Sequence, residues 1–314
     1  MSLQSKLYVI AVVSNPVRYE SRYRLFREFK ARMEATPNVQ LICVEHAFGR
    51  RFHEVTDGKC PWHVQLRGGS EYELWIKEGL INAGLKRLYE MDPNWEYVAW
   101  VDADVSFDDP DWALETMHAL QHYAVVQPWS MSYDIGPDNQ QVIHQASSFG
   151  HDFACKVQRK PWKPYEETYH PGYAWAATRE VIDGLGGKLI DWCILGAGDH
   201  HMAHAFTGNI WAAVDPQLGG TYRRRAAQFQ LLADRHVKQN LGFVEGGLRH
   251  YWHGPKRKRY YIERNDILRR NRYDPDWDVA VDHNGVPFLT DGKPQLRDDI
   301  RMYMRARDED SLEL

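Results

Sequence analysis

Tyr97-Val-Ala-Trp-Val-Asp-Ala-Asp-Val105 decides the fold class. Five residues without a charge form an apolar run too short for a helix, and an acidic pair follows at once. A strand with one wet face would alternate apolar and polar residues. An unbroken run is what a parallel sheet covered by helices on both faces asks for. Upstream, Glu71 to Glu90 is the clearest helix, because Leu74, Ile81, Leu85 and Leu88 fall on one face at a 3.6-residue period. Further upstream, Leu7–Val13 and Val39–Val44 have the same buried-strand character, and the spacing predicts a helix over Arg22–Met33 between them. Strands alternating with helices imply an α/β fold with a mostly parallel sheet flanked by helices. In such sheets ligands bind beyond the carboxyl ends of the strands. Ser14 to Arg18, Glu45 and Asp102 to Asp104 all occupy that place.

Downstream, from about Phe107 to Asp215, the pattern is less regular and rich in aromatics and histidine. A strand over Ala124–Gln127, a helix starting near Thr178 and another running from Ile194–His201 into Phe206 are expected. The last 40 or so residues read as a C-terminal extension with a helix over Gln295–Arg307 and an acidic tail.

With 314 residues, 43% hydrophobic and 26% charged, the chain has room for one large or two ordinary domains. That composition excludes a disordered, coiled-coil, collagen-like or membrane-embedded chain. Val9 to Val13, the longest purely apolar run near the N-terminus, is too short for a membrane span or a signal-peptide core. Four scattered cysteines show no paired spacing, so a reducing, cytoplasmic setting is expected. The net charge of −4 averages unlike segments: −8 over residues 1–220, +10 over 221–273 and −6 over 274–314. A basic block inside an acidic chain points to an anionic partner such as a phosphate, nucleotide or nucleic acid.

Asp102-Ala-Asp104 is the central motif. In an extended segment residues i and i+2 point to one side, so two carboxylates can converge on one divalent cation. The chain holds five Asp-x-Asp patterns, at 102/104, 109/111, 274/276, 276/278 and 308/310. Only the first follows a buried strand; the others read as turns or solvated charge. His250-Tyr-Trp-His253-Gly254 precedes Lys256-Arg-Lys-Arg259. Neutral imidazole suits Mn²⁺-type ions and the cations would neutralise a diphosphate, the competing reading being an aromatic core strand with a basic turn. In Gly196-Ala-Gly198-Asp199 the glycines allow close approach to a ligand and present Asp199 at a helix start, where it is either a helix cap or a catalytic base. His200, His201 and His204 follow. Their spacing could hold zinc, but the Glu of a His-Glu-x-x-His motif is missing, so packing and surface roles are expected. No P-loop, Gly-x-Gly-x-x-Gly or Gly-x-Ser-x-Gly signature is present.

Taken in order, these elements resemble the nucleotide-sugar-dependent glycosyltransferases of the GT-A fold over residues 7–270. The resemblance rests on Asp102-Ala-Asp104, His170-Pro-Gly-Tyr-Ala-Trp-Ala-Ala-Thr-Arg179, Gly198-Asp199 and His253-Gly254. It implies a GT-A-type Rossmann-like catalytic domain over residues 1–273, with a nucleotide-binding half (1–105) and an acceptor and metal half (106–273), and an appendage over 274–314. It further implies that Ser14, Asn15, Arg18 and Glu45 hold the nucleoside, Asp102 the ribose, and Asp104 with His253 a Mn²⁺ or Mg²⁺ ion. Lys256 and Arg259 would meet the diphosphate of a UDP-sugar. Asp199 would be the base of an inverting transfer, although only the Asp of the usual Glu-Asp pair is present. On the long helix Lys77 and Asn82 lie roughly 140° apart, so one of them faces the ligand, and Lys77 is the choice.

The unassigned runs Tyr222-Arg-Arg-Arg225 and Arg269-Arg-Asn-Arg272 suggest DNA as acceptor, through a hydroxymethylated base as in phage DNA. A surface or lipid-linked glycan is the competing acceptor. Outside the transferases stand two further readings: a non-catalytic nucleic-acid-binding protein, and a zinc hydrolase built on His200, His201 and His204.

Overall fold

In a computed structural model of the chain, which describes residues 5–157, 168–261 and 263–314, the apolar run Leu7–Ser14 forms strand β1. Then follow α1 (Glu20–Ala35), β2 (Val39–Phe48), β3 (His63–Gly68), α2 (Lys77–Met91) and β4 (Tyr97–Val101). Next along the chain are β5 (Val105–Phe107), α3 (Trp112–Ala119), β6 (Val125–Gln127), β7 (Met131–Ile135), β8 (Val142–Ser148), α4 (Phe149–Ala154) and β9 (Tyr169–His170). After these come β10 (Ala174–Thr178), α5 (Arg179–Gly184), α6 (Gly198–Phe206), α7 (Gly220–His236), β11 (Leu241–Phe243) and β12 (Gly247–His250). The chain closes with α8 (Glu263–Arg270), a hairpin of β13 (Val279–Val281) and β14 (Pro287–Leu289), and α9 (Pro294–Ala306).

Among the described residues the central sheet has seven strands in the order β11-β6-β10-β4-β1-β2-β3. It is parallel except for β10, which runs antiparallel between β4 and β6. The continuous apolar character of β1 has a direct cause, because both faces are covered. Leu7, Val9, Ala11 and Val13 pack with Phe26, Phe29 and Met33 of α1. Tyr8 and Ile10 point the other way, into a core with Leu80, Ile81, Leu85 and Leu88 of α2. A second sheet, in the order β5-β12-β7-β8-β9, stands beyond the end of β4 and carries His250 at the last position of β12. The expected α/β class is therefore the observed one.

Two expectations change. The helix predicted from Glu71 begins at Lys77, since Ser70–Tyr72 is a short 3₁₀ turn and the Trp75 amide donates to Ile194 O at 2.8 Å. That tertiary hydrogen bond holds the chain out of helix and delivers Lys77 to the first turn of α2. The C-terminal segment expected as an appendage is packed into the main core: Val286, Leu289, Leu296, Ile300, Tyr303 and Met304 belong to the apolar cluster beneath α2. No helix among the described residues is long and apolar enough to cross a membrane.

Candidate functional site

Beyond the carboxyl ends of β1 and β4 lies a cavity whose wall includes Ser14, Asn15, Lys77, Asp102, Asp104 and Asp199. The second sheet, the loop after β12 and the C-terminal tail close its other side with His250, His253, Arg259, Arg307 and Glu309. The Asp102–Asp104 segment is a turn rather than an extended strand. Its geometry is pinned at both ends: Asp102 N–H donates to Tyr173 O at 2.7 Å, and Asp104 O accepts from Tyr251 N–H at 2.8 Å. The two carboxylates consequently part company. Asp102 forms an ion pair with Lys77, while Asp104 turns toward the histidines.

Asp104, His250 and His253 offer ligand atoms that all lie within 4.8 Å of one another, the one such metal-capable group among the described residues. His253 Nε2 is 3.0 Å from Asp104 Oδ2, and His250 Nε2 is 3.2 Å from His253 Nε2. His250 Nδ1 is 2.8 Å from Asp134 Oδ1, and the Arg259 guanidinium reaches His253 Nε2 at 2.9 Å. His250 Nδ1 donates to the Asp134 carboxylate and His253 Nε2 accepts from Arg259, and both Nε2 atoms stand beside the Asp104 carboxylate. Asp104 Oδ1 is buried without a hydrogen-bond partner. Two imidazoles gathered at a carboxylate with one orphaned oxygen fit a divalent cation with oxygen and imidazole ligands.

Behind this group Asp134 is 4% exposed and gathers His250, Tyr173 Oη at 2.8 Å, His144 at 3.0 Å and Lys256 Nζ at 2.6 Å. Burial opposes its charge, but these donors hold its carboxyl far below the usual range. Tyr173 also stacks between His170, at 3.8 Å, and His250, at 4.7 Å. The segment His170–Tyr173 is thus a prop for the second sheet's histidine.

On the opposite side, Lys77 anchors a group of acids. Although burial opposes its charge, Asp102, Asp199 and Glu78 hold the Lys77 ammonium protonated. Asp102 is pushed up to about 6 by burial, with Asp104 adding to the rise and Lys77 restraining it. Glu78 is pushed up to about 8 by burial, with Asp199 raising it further. Asp199 sits in the first turn of α6 behind Ala197, whose positive φ of 78° sets the helix entry. Its Oδ1 accepts from His200 N–H at 2.8 Å, while its Oδ2 occupies the space a side chain at Gly172 would need, 2.5 Å from that would-be Cβ. Asp199 is therefore not the cap residue itself, and its second oxygen packs against Gly172.

The other expected residues are placed as follows. Ser14 Oγ is buried and unpartnered in the wall. Asn15 is also in the wall, but its amide is engaged with the Tyr19 backbone at both ends. Arg18 is exposed, at φ 71°, and outside the wall. Asn82 clamps the backbone of Leu189, so of the two helix residues only Lys77 reaches the cavity. Glu45 is a correction. Its carboxylate accepts from the amides of Glu54, Val55 and Thr56 and from Thr56 Oγ1, which leaves no free oxygen for a nucleoside, and it lies outside the wall. Lys256 is another, because its charge is spent on Asp134 behind His250. The wall's cations come instead from Arg22, Arg259, Arg264 and Arg307.

His250 lies in the same motif as His253, and its sequence signal is the i, i+3 spacing. Glu78 had only its place beside Lys77. Asp134 and Glu309 had none, since their partners are brought to them by the fold. His201 is fully engaged, with Nδ1 on Ala197 O and Nε2 on Tyr222 Oη, and the expected packing role suits it. The basic runs are engaged too: Arg224 and Arg225 with Asp276, Arg269 with Asp215 and Asp266, Arg270 with Asp299.

No protein-family model matches the sequence, and no curated protein matches it. Among solved structures, the chain is similar to residues 1–349 of TarS from S. aureus at 11% identity and a TM-score of 0.41, covering 96% of this chain and 71% of that one. It is similar to the catalytic domain of Drosophila β1,4-galactosyltransferase 7, solved with xylobiose, at 12% identity and a TM-score of 0.37, covering 93% and 98%. A mannosyltransferase from Pyrobaculum calidifontis, solved with GDP-Man and Mn²⁺, gives 16% identity and a TM-score of 0.42, covering 86% of this chain and 62% of that one. At these identities and TM-scores none of the likenesses carries the functional reading, which rests on the side chains already described.

Proposed function

We propose that this chain is a metal-dependent glycosyltransferase of the GT-A type, which moves a sugar from a UDP-sugar to an acceptor hydroxyl with inversion. The observation that carries the reading is the convergence of Asp104, His250 and His253 in the same cavity as Asp199 and four arginines. A bound Mn²⁺ or Mg²⁺ supplies charge neutralisation for a departing diphosphate. Arg259 and Arg264 draw the anionic donor in and share that charge, whereas Arg22 and Arg307 are paired with Glu309. Lys77 holds the Asp102 carboxylate, which is thereby set to accept hydrogen bonds from ribose hydroxyls. Asp199 takes the proton from the acceptor hydroxyl as it attacks the anomeric carbon. Beside it, burial pushes the Glu78 carboxyl up to about 8. A base facing the departing diphosphate across the sugar gives inversion.

The acceptor is proposed only as a hydroxyl. Four arginines of the two runs that suggested DNA, Arg224, Arg225, Arg269 and Arg270, are paired with the protein's own carboxylates, which reduces the charge left for a polyanion. The same pairing weighs against a non-catalytic nucleic-acid binder, and the engaged His201 against a zinc hydrolase.

The test is a thermal-shift panel of nucleotides and nucleotide-sugars with and without Mn²⁺. UDP at 100 times its Kd should stabilise the fold by about 2.7 kcal/mol, only when Mn²⁺ is present. Equal shifts in EDTA would sink the metal part, and no shift with any nucleotide would sink the whole.

A further inference from the structure

The acidic tail is sewn into the site. Asp310 accepts from the amides of Glu20 and Ser21 at the start of α1, at 2.9 and 2.8 Å. Asp308 N–H donates to Tyr19 Oη at 3.0 Å, and Trp252 Nε1 donates to Ser311 O at 2.7 Å. At Gly254, φ +84°, a Cβ would stand 2.7 Å from Asp308 O and 2.8 Å from Glu309 Cα. Both are backbone atoms that cannot swing aside, so the glycine after His253 is what lets the tail pass. The chain between α1 and the loop after β12 has no slack, and it delivers one side chain inward. That side chain is Glu309, 2% exposed. Its Oε1 accepts from Arg22 Nη2 at 2.7 Å and Arg307 Nε at 2.6 Å, and its Oε2 pairs with Arg22 Nε. Oε2 also stands 3.8 Å from Nδ1 of His253.

The arrangement is similar to that at His250, with the carboxylate at a longer separation. There a buried carboxylate, Asp134, backs Nδ1 while Nε2 faces Asp104. At His253, Glu309 lies on the Nδ1 side and Asp104 on the Nε2 side. Carboxylates behind ligating imidazoles fix ring orientation and tautomer and strengthen the ligand. We infer that Glu309 is a positioning residue for the metal site, the C-terminal strap holding His253 so that its Nε2 addresses the ion beside Asp104. This rests on the metal reading proposed above. The two guanidinium groups clamp the carboxylate in place, and Arg307 is itself held over the Trp75 ring at 5.0 Å.

The experiment is Mn²⁺ titration of the full-length, metal-free protein by calorimetry, with the Mn²⁺ paramagnetic resonance spectrum as a second readout. Glu309→Gln keeps the shape and removes the charge. Its Mn²⁺ affinity should fall about tenfold or more, and Glu309→Asp should recover part of the loss. Asp310→Ala loosens the strap at α1 without touching Glu309, and should weaken Mn²⁺ binding in the same direction; it decides the matter if Glu309→Gln does not fold. A purely structural role would lower the metal-free melting temperature and leave Mn²⁺ affinity and spectrum unchanged, which would overturn the inference. Tighter UDP binding in EDTA with unchanged Mn²⁺ affinity would also overturn it, making the tail a plug of the anion pocket. A wild-type protein that binds no Mn²⁺ would remove the metal reading and this inference together.

Discussion

At the scale of residues, the division of labour between Asp102 and Asp104 is set by what each carboxylate faces. Asp102 faces an ammonium and Asp104 faces two imidazoles, so only Asp104 has the surroundings of a metal ligand. His250→Gln should therefore weaken Mn²⁺ binding as strongly as His253→Gln, by tenfold or more in calorimetry, whereas a bystander His250 would leave affinity unchanged. Asp199→Asn should lower kcat by about 10²–10⁴ while UDP affinity holds, since a base contributes in the transition state and not to donor binding. Wild-type turnover in that variant would remove Asp199 as base. Much of this was legible in the sequence: Asp104, His253, Lys77 and Asp199 all reach one cavity. Glu45 and Lys256 were misjudged because position at a strand end or in a basic run says nothing about which local partner consumes the charge.

At the scale of elements, α2 shows how contacts outside the helix set its limits and its composition. Its periodicity extends upstream to Leu74, which is indeed buried, yet the helix starts only at Lys77 because Trp75 is bonded to Ile194. Apolar spacing reports which side chains are buried, not which backbone bonds are made. Gly84, in the middle of α2, makes the same point. Helix propensity alone would have Gly84→Ala stabilise the protein by about 1 kcal/mol. A Cβ there would stand 2.7 Å from Ile10 Cγ2 and 3.2 Å from Val44 Cγ2, so the helix lies on the sheet at glycine distance. Gly84→Ala is expected instead to destabilise by about 1–3 kcal/mol, as overpacking does. Urea unfolding gives the sign directly, and a gain in stability would show that the sheet yields.

At the scale of the whole molecule, acid sensitivity follows from buried histidines. His46 is 4% exposed, packs on Phe48 and Tyr72, and has no partner for either nitrogen. Burial pushes it down to about 4, and burial does the same to His201. An unfolded histidine titrates near 6.5, so between pH 6.5 and 4 the unfolded chain takes up protons that the fold refuses, and stability falls as pH falls through that window. His46→Phe should remove one such contribution. Relative to the difference at pH 7.5, the variant should gain about 2 kcal/mol over wild type at pH 4.5 in urea unfolding; parallel pH profiles would contradict this.

The +10 block and the acidic tail also resolve at this scale. Arg224, Arg225, Arg269 and Arg270 meet carboxylates of the same chain, and the tail read as solvated charge supplies a helix cap and a buried glutamate. By itself the sequence determined the α/β class, the strand ends where the site forms, and several of the polar side chains that line it. These follow from local information, in which apolar runs report burial and a strand's end reports where loops emerge. Only the tertiary structure decided that Asp134 stands behind His250 from 116 positions away, and that the tail enters the site. Such pairs meet because the two sheets and the last helix close on one another, and no spacing along the chain encodes that closure.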